Sequence, residues 1–167
     1  MTAEASPLHN TFGQPEPDDG PEPRFIYAVG ALDRIIRRRL ATILQPFSVT
    51  VAEYTTLSLV KRRDGYSNAD LSKRAFVSPQ AMNEVIRSLE ERRLLARTPS
   101  TTHGSVLNTY LTASGRDLLG RCDTAVDRLE QAMLEGVPAG ASTDVMPLLL
   151  QCARNLRRST SDTPAPE

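Results

Sequence analysis

Between residues 24 and 158, apolar positions return every three or four residues in six separate runs, each set off by capping residues or turn formers. Phe25, Val29, Leu32, Ile36, Leu40 and Ile43 form the first run and predict an amphipathic helix that ends before Pro46. At about 1.5 Å per residue, that helix is roughly 30 Å long. Thr50-x-x-Glu53 is a capping box, and Val51, Tyr54, Leu57 and Val60 predict a second helix closing at residues 61–65, where Gly65 suits a stop. Ser67-x-x-Asp70 caps a short third helix through Leu71 and Ala75. Ala75-Phe76-Val77 reads as a turn, and Ser78-Pro79 as an N-cap with proline at the first helical position. The fourth helix buries Met82, Val85, Ile86 and Leu89 and shows Gln80, Asn83, Glu84 and Arg87 on its other face.

After Leu94-Leu95 the preference changes. Residues 96–99 and 106–111 are rich in Thr, Val and Tyr and predict a hairpin with its tip at Thr102-His103-Gly104-Ser105. Thr112-x-x-Gly115 then opens a long helix striped by Leu118, Cys122, Val126, Leu129 and Met133, which stops at Gly136-Val137-Pro138. A last helix is expected from about Thr143 to Arg158 with Val145, Leu148, Leu149, Cys152 and Leu156 on one side. The expected fold is mainly α with a small β-hairpin wing. The order of short helix, turn, capped helix and hairpin is that of a winged helix-turn-helix, which lays one helix in a DNA major groove.

Charge sharpens this picture. The 167 residues carry no formal net charge, yet residues 24–110 hold 14 Lys and Arg against 7 Asp and Glu. A basic middle is the part that meets a phosphate backbone. Residues 1–23 hold five acids, no Lys or Arg and five of the 12 prolines, so they and residues 159–167 are expected to be disordered tails. No stretch reaches the roughly 18 apolar residues of a membrane span, and no secretory signal opens the chain. The two cysteines, Cys122 and Cys152, fall in apolar stripes and are expected as reduced core residues of a cytoplasmic protein. Two His, no ligand cluster, no phosphate loop and no nucleophile motif leave nothing for catalysis, so no catalytic residue, metal or cofactor is expected.

The fourth helix carries the candidate chemistry. Ser78, Gln80 and Asn83 lie within two turns of a capped N-terminus, whose partial positive charge favours phosphate. Gln and Asn pair bidentately with adenine, and Arg87 one turn on suits guanine or phosphate. The alternative reading is a polar solvated face. Arg37-Arg38-Arg39 is read as a solvated or flank-phosphate run.

From 24 to 158 the chain resembles the MarR (multiple-antibiotic-resistance regulator) family of winged-helix repressors. The local matches are Ser78-Pro79, Leu89-Glu90-Glu91 with Leu94-Leu95-x-Arg97, and Leu111-Thr112-x-x-Gly115. The resemblance implies a homodimer built from N- and C-terminal helices (24–45 and 112–158) and a DNA-binding head with wing (48–111). It also implies a pseudo-palindromic double-stranded DNA operator, repression, and release by a small aromatic or phenolic effector. DNA-contact candidates are Ser67, Asn68, Arg74, Ser78, Pro79, Gln80, Asn83, Arg87, Arg97 and His103. For the effector they are Tyr27, Tyr54 and Tyr110 with Arg34 as carboxylate partner; core or rim tyrosines are the alternative. Three positions depart from the family pattern. His103, Gly104 and Ser105 replace its usual Asp-Arg-Arg wing tip, leaving wing contacts to His103, Arg97 or neither. Glu84 stands where a base is common, and Arg93 where a glycine is usual, so a left-handed cap at Arg93 is expected to be strained. A winged-helix protein-interaction module with weakened or lost DNA binding is the other reading.

Overall fold

The computed structural model describes residues 24–100 and 106–159. The chain divides into two compact units, 1–36 and 37–167, with the boundary inside the first helix. The segment 24–45, expected as one dimerisation helix, is thus shared between them. Of the residues expected as tails (1–23 and 159–167), Ser159 ends helix α6, and the others, with the hairpin tip and His103, lie outside the described residues.

In the first unit, residues 25–36 belong to helix α1 (Phe25–Leu44), and Phe25, Ile26, Tyr27, Val29, Leu32 and Ile35 are all exposed. The second unit holds the rest: α2 (Val51–Arg62), α3 (Asn68–Ala75), α4 (Pro79–Glu91), strands β1 (Leu95–Pro99) and β2 (Leu107–Leu111), α5 (Ala113–Met133) and α6 (Ala141–Ser159). Both predicted capping boxes form. The Thr50 hydroxyl accepts from the Glu53 N–H while Glu53 accepts from the Thr50 N–H, and Ser67 and Asp70 do the same one helix later. Each box satisfies two donors that a helix start leaves unpaired.

The core gathers Leu44, Leu57, Val60, Leu71, Met82, Ile86, Leu89, Leu95, Leu111, Leu119 and Cys122. One buried stripe from each of α2, α3, α4 and α5 meets there, which is why the head holds a fixed shape. The strands pair antiparallel from Leu95 opposite Leu111 to Pro99 opposite Leu107. The expected two-stranded wing gains a third partner. Thr109 donates to the Tyr66 carbonyl and accepts from the Gly65 N–H, both at 3.0 Å, with Gly65 at φ 82°.

One cysteine departs from expectation. Cys122 is buried as expected, but Cys152 is exposed, as are Val145, Leu148, Leu149 and Leu156 of the same stripe. Helix α6 begins at Ala141 and runs through Pro147, which cannot donate to the ladder. The first helix ends at Leu44, before Pro46 as expected, and is followed by a 3-10 turn, Gln45–Phe47. Arg93 does take the left-handed conformation, at φ 56°.

Candidate nucleic-acid interface

Ser78 caps α4 by accepting the Ala81 N–H at 3.1 Å, and Pro79 occupies its first position. Behind it, Met82, Ile86 and Leu89 are buried; in front, Gln80, Asn83, Glu84 and Arg87 are exposed. The sequence-predicted face therefore forms as one polar strip. Arg87 carries an exposed i,i+4 ion pair to Glu91 at 3.8 Å, with both side chains 72% exposed. Such a pair is worth little in water and yields readily to a stronger acceptor.

The brace behind α4 is polar as well as apolar. Glu53 of α2 is 6% exposed, and one of its oxygens accepts from the Ser88 hydroxyl at 2.8 Å and from Arg92 at 3.2 Å. The other holds the Thr50 N–H at 2.8 Å. Burial pushes this carboxyl up. The hydrogen bonds from Thr50 and Ser88 and the Arg92 charge more than offset that, so it lies below the usual carboxylate value. One side chain thus caps α2 and fixes the C-terminal half of α4. The Thr50–Glu53 spacing revealed the cap; nothing local revealed Ser88 and Arg92 as partners.

Asn68 joins the α4 start from the other side: its Nδ2 donates to the Pro79 carbonyl at 3.0 Å. This ties the first turn of α3 to the first turn of α4. The Ser67 hydroxyl is engaged with Asp70, accepting its N–H at 3.1 Å and donating to its carboxylate at 2.7 Å. Ser67 and Asn68 are thus both engaged by hydrogen bonds within the head. Phe76 takes up the turn in the left-handed region at φ 60°, its N–H bonded to Ser72, and it is 61% exposed.

Arg97 does not reach outward. Its guanidinium is ion-paired with Glu90 of α4, and the side chain is 24% exposed. The pair locks the wing base to the recognition helix instead of offering a free cation. Arg74 is exposed and lies over the Tyr66 ring at 4.7 Å. It lines a cleft shared with α6 that no residue of the α4 polar strip lines.

The effector candidates are dispersed over several elements. The Tyr54 hydroxyl donates to Asp123 of α5 at 3.0 Å, and Lys61 reaches the same carboxylate at 2.7 Å. Burial and that hydrogen bond push the Tyr54 phenol up to about 12. Tyr110 sits on β2 opposite Ala96, half-buried. Tyr27 and Arg34 are exposed on the part of α1 that belongs to the first unit. Among the described residues no group of His, Cys, Asp and Glu could hold a metal, and no helix is long and apolar enough to cross a membrane.

The MarR family profile matches residues 47–104, which spans α2, the helix-turn-helix and the first wing strand. The HTH-type transcriptional repressor Rv2887 of Mycobacterium tuberculosis is 35% identical over 122 residues, covering 73% of this chain and 86% of the relative. The crystal structure of Rv2887 complexed with DNA matches with a TM-score of 0.63 at 28% identity, over 80% of this chain and 98% of that one. The Rv2887 complex with salicylic acid gives 0.59 at 32% identity, over 81% and 98%. At this identity and coverage the chain belongs to the MarR family.

Proposed function

We propose that this chain is a DNA-binding transcriptional repressor that acts in the cytoplasm as a homodimer and is released by a small aromatic or phenolic acid. The observation that carries the reading is the exposed strip of Gln80, Asn83 and Arg87 on a capped helix held from behind by Glu53 and Asn68. In a dimer, two such helices enter successive major grooves, so half-sites lie roughly 10 base pairs apart. Gln80 and Asn83 read base edges, Arg87 reads guanine or phosphate, and the capped start of α4 at Ser78 and Pro79 faces the backbone.

Dimer formation is supported by two apolar faces that the single chain leaves in water. One is the α1 stripe from Phe25 to Ile35; the other runs along α6 through Val145, Leu148, Leu149 and Leu156. A second copy covering them removes that cost at about 25 cal/mol per Å². The effector reading draws on the salicylic acid complex of Rv2887. On this chain, Arg34 supplies a cation for a carboxylate. Tyr54 is committed to Asp123, so an anion placed beside it meets a like charge. The protein works by occupying DNA, not by catalysis.

Footprinting on the DNA upstream of its own gene tests the proposal. A protected pseudo-palindrome, a steep fall of affinity with salt and loss of specific protection in Asn83→Ala are expected. Arg87→Ala is expected to weaken binding by roughly 1–3 kcal/mol if it reads a guanine. Glu84, exposed on the same strip, favours a second reading as a protein-interaction module. Absence of both footprint and salt dependence would select it.

A further inference from the structure

The C-terminal end of α2, the outer face of α3 and one side of α6 line an open cleft of about 710 Å³. Its wall holds six cations: Arg62, Arg63, Lys73, Arg74, Arg154 and Arg157. It holds one carboxylate, Asp70, which already accepts the Ser67 hydroxyl at 2.7 Å and the Ser67 N–H at 3.3 Å. Among the described residues, Arg62, Arg63, Lys73, Arg74 and Arg154 have no carboxylate within ion-pair distance.

Several of these cations are nonetheless held in place by neutral groups. Arg154 donates to the Gln151 side-chain oxygen at 2.7 Å, and Arg157 donates to the Lys73 carbonyl. Arg63 and Arg74 lie 5.5 Å and 4.7 Å from the Tyr66 ring centroid, and Arg157 lies 4.0 Å from that of Phe76. At Arg63, Arg74 and Arg154, carbonyls and ring faces orient the guanidinium forks without cancelling their charge. Like charges gathered around one concave space repel, and an anion with several negative groups relieves that repulsion at once. Phosphoryl oxygens fit the paired N–H groups of arginine. The volume lies within the range of small-ligand sites and exceeds what one phosphate needs.

We propose that this cleft binds a multiply charged phosphate anion, either an inorganic oligophosphate or the oligophosphate tail of a nucleotide. The polar strip of α4 stays outside it, since Ser78, Gln80, Asn83 and Arg87 do not line it, and of the DNA-contact candidates Arg74 alone does. Its walls join α6 to α3, and Arg157 rests on Phe76 in the turn that leads to α4. An anion bound there holds α6 against the reading head.

The test is isothermal titration of the full-length protein with sodium tripolyphosphate in magnesium-free, low-salt buffer. Saturable binding of one anion per chain is expected. The double variant Arg62→Ser/Arg154→Ser should weaken it at least tenfold, while Arg128→Ser on α5, outside the cleft, changes it less than twofold. Operator affinity and far-UV circular dichroism of the double variant should be unchanged. Parallel titrations with ADP and ATP distinguish the sources: tighter binding than tripolyphosphate assigns a nucleotide, equal or weaker binding the inorganic chain, and both support the site. No saturable binding, or equal weakening by Arg128→Ser, overturns the proposal. So does a double variant that keeps tripolyphosphate binding or loses operator affinity instead. If the double variant loses its helical signal, Lys73→Gln carries the test with the same tenfold criterion.

Discussion

Replacing Glu53 isolates how the reading helix is held. Its carboxylate has three partners: the Thr50 N–H and the Ser88 hydroxyl at 2.8 Å, and Arg92 at 3.2 Å. Glu53→Gln keeps an acceptor for the cap and removes the charge. A hydrogen bond to a charged group contributes about 1.5–3 kcal/mol. The Arg92 side chain is 34% exposed, so water replaces part of that, leaving a cost of about 1–2 kcal/mol. Glu53→Ala also strips the cap and strands the Ser88 hydroxyl, for about 2–4 kcal/mol. Urea unfolding at pH 7 reads both as shifts in midpoint at constant slope. The sign with pH is set by the carboxyl lying below its ordinary value of 4.5 in the folded state. The stabilisation is present above that ordinary value and is lost as pH falls through the folded-state value. The gap between wild type and Glu53→Gln should therefore hold from pH 7 to about 5 and close below it. A Glu53→Gln protein as stable as wild type at pH 7, or a gap that ignores acid, would refute this account of the brace.

Three further outcomes follow from the fold. Arg93→Gly should stabilise by about 0.5–1 kcal/mol, because φ 56° costs an L-residue about 1–2 kcal/mol and glycine forfeits part of the gain in the unfolded chain. Arg93→Ala should leave the melting temperature unchanged, and equal gains in both variants would point to charge rather than backbone. At Gly115 an added Cβ would stand 2.1 Å from the Leu94 carbonyl oxygen, so Gly115→Ala should cost about 3 kcal/mol; a melting temperature within 1 °C of wild type would contradict it. The Tyr54 phenol, raised to about 12, contributes stability that is present below about pH 10 and is lost as pH rises through its folded value. The tyrosinate absorbance difference between wild type and Tyr54→Phe should titrate near 12, and a midpoint near 10 would show that neither burial nor the Asp123 bond holds the phenol up.

Much of the head was legible because its signals are local. Thr50-x-x-Glu53, Ser67-x-x-Asp70 and Ser78-Pro79 act within one helical turn, and all three caps form where they were predicted. The polar strip of α4 followed from periodicity, since the buried side of the helix fixes the exposed one. Less legible were the ties that cross the chain. Glu53 meets Ser88 and Arg92 at separations of 35 and 39 residues, and no spacing rule points to either. Arg97 resembled a wing cation, but Glu90 in the last turn of α4, seven residues back, pairs with it. Cys152 shows the opposite failure. Its periodicity is genuine, but a stripe states only that a helix has an apolar side, not that this chain supplies a surface to cover it.

The join between wing and α5 has a mechanical consequence. The Thr112 hydroxyl donates to the carbonyls of Arg93 and Leu94 at 2.7 and 3.1 Å, and Gly115 leaves no room beside Leu94. The seam cannot flex without breaking those bonds, so α5 behaves as a stem cast in one piece with the base of the hairpin. Its 21 residues give a lever of about 31 Å. A tilt of about 10° imposed at the far end of that stem amounts to a travel of about 5 Å over its length. Whatever grips the distal turns of α5 therefore steers the angle at which the reading edge meets a groove.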